Sequence, residues 1–252
     1  SITVQNDGPS NHFNTVLYTG NDTNTSYTRN ITGVGFQPDL VWIKSRDTTG
    51  FEHALFDSVR GAGASKILSS DTTGAQGWTS GAPMSAFITD GFSIQPRSPW
   101  NSNNLINKNG DDFVAWNFKA GGAAVANTDG TINSQVSVND TLGFSIVSYT
   151  GNQTNNATVG HGLSSAPDLW IGKSIDQTSP WQVLCSSFAE GGFLALDSTA
   201  AKGTSSNVSF DPTSTTVKFQ GGQNINDGSC IAYAFTSKPG FSKVGSYTGT
   251  GA

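Results

Sequence analysis

The chain has 252 residues, a formal net charge of −5 and only 12% charged residues, about half the share of roughly 25% usual in soluble proteins. Uncharged polar residues and 30 glycines stand in for the missing charge, and helix formers such as Glu, Met and Leu are scarce beside Thr, Ser, Asn, Val and Phe, which argues against helical bundles and most α/β enzymes. The scattered Lys and Arg give no footprint for nucleic acid, and no window approaches the apolar length of a membrane span, so an all-β chain without nucleic-acid partner or membrane insertion is expected.

In chain order, residues 1–12 read as an N-terminal arm with neither the basic region nor the apolar core of a signal peptide. Apolar runs of five to eight residues follow, separated by Gly, Asn, Asp, Ser and Pro clusters, the pattern of a β-sandwich or jelly roll. Strands are predicted near 13–19, 27–32, 39–46, 53–59, 65–69, 84–89, 92–95 and 112–119. Asp90-Gly91 predicts a hairpin turn, because Gly tolerates the positive φ of a tight primed turn. In Phe113-Val-Ala-Trp-Asn-Phe118 large residues alternate with smaller or mixed ones, so one face is expected to point to a core between sheets.

The chain then repeats itself, which outranks any local signal. Phe13-Asn-Thr-Val-Leu-Tyr-Thr-Gly-Asn21 returns as Phe144-Ser-Ile-Val-Ser-Tyr-Thr-Gly-Asn152 and, in part, as Phe241-Ser-Lys-Val-Gly-Ser-Tyr-Thr-Gly249. Gly33-Val-Gly-Phe-Gln-Pro-Asp-Leu-Val-Trp-Ile-Lys44 matches Gly160-His-Gly-Leu-Ser-Ser-Ala-Pro-Asp-Leu-Trp-Ile-Gly-Lys173, and Val114, Trp116 and Phe118 correspond to Ile231, Tyr233 and Phe235. These boundaries give a first β-sandwich repeat over 13–119, a connector over 120–143 with a weak hairpin at Asp129-Gly130, a second repeat over 144–238, and the opening strand of a third over 239–252. An isolated strand cannot bury its face, so the polypeptide is expected to continue, or else 241–252 pairs onto the second copy as an edge strand. Two tandem domains and one larger jelly roll both fit, and two domains are the preferred reading.

Tyr18-Thr-Gly-Asn21, Gly33 to Arg46, Leu55-Phe-Asp-Ser-Val-Arg-Gly61, Leu68-Ser-Ser-Asp-Thr-Thr73 and Phe113-Val-Ala-Trp116, with the Lys119–Val136 connector, resemble a repeat of structural proteins of tailed, especially marine, bacteriophages. The resemblance covers nearly all of the chain from Phe13 onward. It implies a concanavalin-like β-sandwich and a place on the virion surface, as a tail fibre, spike or capsid decoration, with other virion proteins as partners. It carries over no catalytic residues.

A search for chemistry returns mostly structural readings. Glycoside hydrolysis needs two flanking carboxyl groups, yet Glu52 and Glu190 are the only glutamates and neither lies in a paired motif. Asp111-Asp112 reads as a turn and solvated strand end, and Asp39 and Asp168, each after a Pro, read as turn or cap residues. His12, His53 and His161 have no repeat-equivalent partners, and His53 beside Glu52 reads as a surface pair. Gly61-Ala-Gly-Ala-Ser-Lys66 lacks the spacing of a phosphate loop. No His or Cys spacing or calcium loop supports a metal site, and no cofactor is implied. Cys185 and Cys230 permit one disulfide, with buried thiols the preferred reading. Seven Asn-x-Ser/Thr sequons occur where about five arise by chance, so they carry no argument for secretion.

Binding is the better prospect. Trp78, Trp100 and Trp181 fall in polar loops, and Trp100 is followed by Asn101 and Asn103, an aromatic face beside amide donors suited to carbohydrate. The competing reading is that each loop tryptophan caps a core or meets a neighbouring subunit. The sequence therefore points to a non-enzymatic virion surface protein, a homotrimer contributing to host attachment. A lectin-like module reading a host-surface glycan is the alternative, and a polysaccharide-degrading domain using aspartates comes third.

Overall fold

The computed structural model describes residues 8–22, 28–77, 83–95, 105–221 and 223–250. Among them there is no α-helix, only three short 3-10 turns, and every pairing between strands is antiparallel. The chain divides into two compact units, Ser1–Ala124 and Val125–Ala252.

The first unit contains β1 (Phe13–Thr19), β2 (Arg29–Thr32), β3 (Leu40–Ser45), β4 (Ala54–Asp57), β5 (Met84–Ile88), β6 (Gly91–Ile94) and β7 (Asp112–Phe118). They build a four-stranded sheet in the order β1-β7-β3-β4 and a three-stranded sheet in the order β2-β6-β5. Apolar side chains from both sheets, among them Val41, Phe56 and Phe113 from the larger and Ile31, Met84 and Phe92 from the smaller, share one core. The predicted turn at Asp90-Gly91 joins β5 to β6. Gly91 has φ 148° and a Cβ there would meet the Ile31 carbonyl oxygen at 2.0 Å, so no side chain fits. Asp90 accepts the backbone N–H groups of Gly33 (3.0 Å) and Gly35 (2.6 Å), tying the turn to the loop after β2.

The second unit contains β8 (Val125–Asn127), β9 (Ser134–Asn139), β10 (Phe144–Asn152), β11 (Ala157–Gly160), β12 (Leu169–Ser174), β13 (Gln182–Cys185), β14 (Gly192–Ala195), β15 (Gly203–Thr204), β16 (Asp211–Pro212), β17 (Thr216–Phe219) and β18 (Asp227–Phe235). Its large sheet runs β15-β14-β13-β12-β18-β10-β9-β8 and its small one β11-β17-β16. Within the large sheet β10-β18-β12-β13 repeats the order β1-β7-β3-β4, and the small sheet repeats β2-β6-β5. The sequence duplication is thus a duplication of topology, with two strands added at each edge of the second large sheet.

The repeated Tyr-Thr-Gly-Asn string has a structural cause. Tyr18 Oη donates to the Ile106 carbonyl at 2.7 Å, and Tyr149 Oη to the Ile225 carbonyl at 2.6 Å. One residue on, Asn107 Oδ1 accepts the Asn21 N–H at 3.1 Å, and Asn226 Oδ1 accepts that of Asn152 at 3.2 Å. The glycine between is there because the two segments touch: a Cβ on Gly20 would lie 2.0 Å from the Lys108 carbonyl oxygen, and one on Gly151 2.2 Å from the Asn226 carbonyl carbon. Burial pushes both phenols above their ordinary pKa, so they stay donors. In each repeat the opening strand, β1 or β10, is thereby clasped to the Ile-Asn segment that precedes the last strand.

Asp39 and Asp168, read as caps, do matching work at the other end. Asp39 Oδ2 accepts the Ala120 N–H at 2.7 Å, and Asp168 Oδ2 the Ser237 N–H at 2.8 Å, each two residues beyond the last strand. In the first unit a buried ion pair, Arg60 Nε to Asp57 Oδ2 at 2.6 Å, orders the glycine-rich stretch after β4, with Arg60 also donating to the Lys66 carbonyl.

Several expectations change. Residues 65–69 are not a strand: a 3-10 turn covers Ala64–Lys66, and Leu68 makes a single bridge to Leu55. The stretch 120–143 is more than a connector: the hairpin expected at Asp129-Gly130 forms as β8 paired with β9, β9 in turn pairs with β10, and Val136 enters the second core. Residues 239–250 form no strand, only a turn in which Ser242 and Lys238 exchange backbone hydrogen bonds, and they pair with none of the second unit's strands. Along β7 the inward residues are Phe113, Ala115 and Asn117, all fully buried, so the larger Val114, Trp116 and Phe118 face away from the core. Cys185 and Cys230 are buried and free.

His161 is fixed as a neutral ring. Nδ1 accepts the Leu163 N–H at 3.1 Å and Nε2 lies 3.2 Å from the Thr213 carbonyl, so Nε2 carries the proton. Burial lowers its pKa, with Thr213 and Asp129 opposing.

Gly151→Ala is expected to lose about 2–3 kcal/mol in urea denaturation, from steric overlap with the Asn226 backbone, and Tyr149→Phe about 1–3 kcal/mol for the unpaired carbonyl it leaves. Because His161 binds its proton less readily folded than unfolded, its contribution is complete above the unfolded pKa of about 6.5 and is lost as pH falls toward the lower folded value. His161→Gln should flatten that decline in thermal melts recorded from neutral pH downward, and an unchanged slope would contradict the assignment.

Candidate binding site

The side chains that β7 turns outward meet others from its neighbours. Phe118 lies against Phe13 of β1 with ring centres 4.7 Å apart, and Trp116 meets Trp42 of β3 edge-on at 6.1 Å. Beyond Trp42 comes His53, 5.8 Å away, whose Nδ1 accepts the Trp42 indole N–H at 2.8 Å. Leu17, on the same face of β1, is 62% exposed, while Phe13, Trp42, Trp116, Phe118 and Val114 are half-buried. The outward face of the four-stranded sheet is therefore a row of aromatic and aliphatic surface in which the Trp42 N–H is already satisfied. Lys44 borders it, with Nζ donating to the Phe51 carbonyl at 2.7 Å.

The second unit treats the equivalent face differently. Ile146, Ile231, Tyr233 and Lys173 are all buried. Lys173 Nζ donates to the Ser174 carbonyl at 2.8 Å and reaches Ser179 Oγ at 3.4 Å, and burial pushes its pKa down to about 8 against the pull of Asp197. Trp181, at the end of the same loop, stacks on Tyr233 with ring centres 6.3 Å apart and planes at 23°. The matched registers Ile43↔Ala54 and Gly172↔Gln182 place His53 of the first unit at the position of Trp181.

Of the residues expected to hold carbohydrate, Trp78, Trp100, Asn101 and Asn103 lie outside the described residues. Trp181 is described and fully buried. A stacking platform needs an open ring face, so Trp181 is a packing residue of its own sheet, as the competing reading had it. It does border, with Pro180 and Gln182, a cavity of about 250 Å³ in the second unit.

The groups weighed for acid–base work are occupied by the fold. Glu52 accepts from Ser69 Oγ at 2.9 Å, and burial, with Asp71 nearby, lifts its pKa against that bond. Its expected partner His53 bonds Trp42 instead. Burial of Asp111, which opposes ionisation, is outweighed by Thr48, Lys108 (2.9 Å) and Ser45, and its pKa falls. Glu190 borders a second cavity, of about 290 Å³, with Asp211 and Lys218, and those two form an ion pair at 2.5 Å. Among the described residues no three His, Cys, Asp or Glu side chains could hold a metal ion, and no helix is long and apolar enough to cross a membrane.

Two features escaped the sequence reading. The aromatic face was visible as alternation in β3 and β7, but alternation does not say which phase is inward. Gln182 gave a fainter signal: it is a polar residue where the first repeat has the buried Ala54.

Fold and surfaces together define an all-β protein of two duplicated, antiparallel units. A family described as a domain of unknown function, DUF7483, matches residues 8–252, and the chain belongs to that family. No curated protein and no solved structure matches it.

Proposed function

We propose that this protein is a non-enzymatic component of a tailed-phage virion surface, a fibre, spike or capsid decoration built from tandem concanavalin-like β-sandwiches, which assembles and contributes to host attachment. The observation that carries the assembly half is the outward aromatic face of the first unit. Monomeric proteins rarely leave such a surface open without a use for it, and aromatic side chains are enriched in interface cores. The two facing sheets around one core in each unit fit the sandwich reading. The location on a virion rests on the repeat resemblance. In this reading Leu17, Trp42, Trp116 and Phe118 meet a second copy of the chain, three copies close a homotrimer, and weak loop contacts are multiplied across copies into avidity.

Light scattering on the purified chain is expected to give three times the chain mass. Leu17→Lys with Trp116→Thr should yield monomers with unchanged circular dichroism, a loss of at least about 2 kcal/mol of association per interface. A wild-type chain that stays monomeric, together with virions that antibodies to it fail to label, would sink the proposal.

A further inference from the structure

The outward sheet face of the first unit ends at His53, an imidazole beside a row of aromatic and aliphatic side chains. An indole N–H can only donate, and that of Trp42 reaches His53 Nδ1 at 2.8 Å. Nδ1 is therefore bare and the ring neutral, with its proton on Nε2. An imidazolium carries N–H on both nitrogens, so a second proton sets two donors head to head. It takes the acceptor from the half-buried Trp42 indole and puts a positive charge against the rings.

The duplication supplies a comparison inside the molecule. Matched registers put Ile171 of β12 at the place of Trp42 and Trp181 at that of His53. Donor and acceptor are thus replaced together, and there Trp181 stacks on Tyr233 instead. The titratable pair stands on the face that is open, and its counterpart on the covered face cannot titrate.

The charged groups around the imidazole come from several elements. Lys44 of β3 opposes its protonation, while Asp71, which accepts the His53 backbone N–H at 3.0 Å, favours it. Glu52, next in the chain, is bonded to Ser69, and Lys108, over the Phe51 ring, is paired with Asp111. From β7 the face receives Val114, Trp116 and Phe118, none of them charged. Burial outweighs Asp71 and lowers the His53 pKa below its ordinary value, in keeping with the bare Nδ1.

We propose that His53 is a proton-operated latch on this face: neutral, it holds the Trp42 indole in the docking row, and protonated, it releases the indole and expels a docked second copy. The latch rests on the geometry above, and what it expels rests on the assembly reading. Docking buries the ring further and so disfavours the imidazolium more in the assembly than in the free chain. The free chain then takes up protons more readily, and association, complete at neutral pH and above, weakens as pH falls through the free-chain value.

The test uses the full chain between about pH 8 and about pH 5, with two readouts. Nitrogen-15 tryptophan labelling follows the Trp42 indole N–H, assigned by its loss in Trp42→Phe, and sedimentation follows association. The Trp42 signal is expected to shift with a midpoint below the ordinary histidine value of about 6.5, and association to weaken at least about fivefold over the same range. His53→Gln, whose amide oxygen can accept the indole N–H and takes up no proton here, should leave association constant within about twofold and the Trp42 signal still. Glu52→Gln should leave both transitions in place. A Trp42 signal that does not titrate overturns the latch, and so does a His53→Gln chain whose association keeps the wild-type pH dependence, which would assign the response to carboxylates. A wild-type chain that is monomeric at every pH overturns the assembly reading and the expulsion with it, while the Trp42 signal still decides the latch.

Discussion

The contact on which each unit depends is the clasp between the opening strand of its repeat, β1 or β10, and the segment before its last strand. Those two stretches are separated by 88 residues in the first unit and 76 in the second, counted from tyrosine hydroxyl to isoleucine carbonyl. Closing such loops is entropically costly, and the cost is offset only when the strands they deliver pair along their whole length. The clasp fixes their register: with Tyr18 and Asn21 held to Ile106 and Asn107, β1 and β7 meet from Phe13↔Phe118 to Thr19↔Asp112. A slip of one residue would turn every side chain of β1 to the wrong side of the sheet, and the core would lose Tyr18.

Much of this was legible in the chain itself. Period-two runs and the Asp90-Gly91 turn located most strands of the first unit to within a residue or two, because half-buried strands must alternate and tight turns restrict residue choice. The repeat gave the correspondence between units without any structural information. What stayed hidden was of a different kind. The hairpin expected at Asp129-Gly130 is there as β8 and β9, but that it docks on the edge of β10 and extends the large sheet stays hidden until the sheet is built. The 65–69 run is apolar enough for a strand, yet the geometry imposed by Arg60 and Asp57 takes it into a turn. The inward phase of β7 also resisted reading, since the core accepts the small Ala115 and the buried amide of Asn117 and sends the indole of Trp116 out.

The candidate sites divide along the same line. Loop tryptophans were sensible guesses from composition, but Trp181 shows that a polar loop can fold its aromatic residue inward when a tyrosine such as Tyr233 waits on the sheet. Gln182 and Gln223 come from a strand and a turn far apart in sequence, so only the fold brings them to the border of one cavity. The two units share a frame and differ where it is decorated: one keeps its sheet face bare, and the other covers that face with a loop held by Lys173.

One further consequence lies in how the chain enters and leaves each repeated segment, β1 to β7 and β10 to β18. The start of the first strand is paired with the end of the last, Phe13 beside Phe118 and Phe144 beside Phe235, and the aspartate clamps pin the outgoing backbone immediately afterwards. The two ends of each repeated segment therefore sit side by side, although in the second unit β8 and β9 come before that segment. A gene encoding such segments can gain or shed whole copies by recombination between the repeated segments without any core being rebuilt, and each retained copy is free to drift at its surface. The divergence of a bare face in one unit and a pocketed sheet edge in the other is the outcome that this form of inheritance permits.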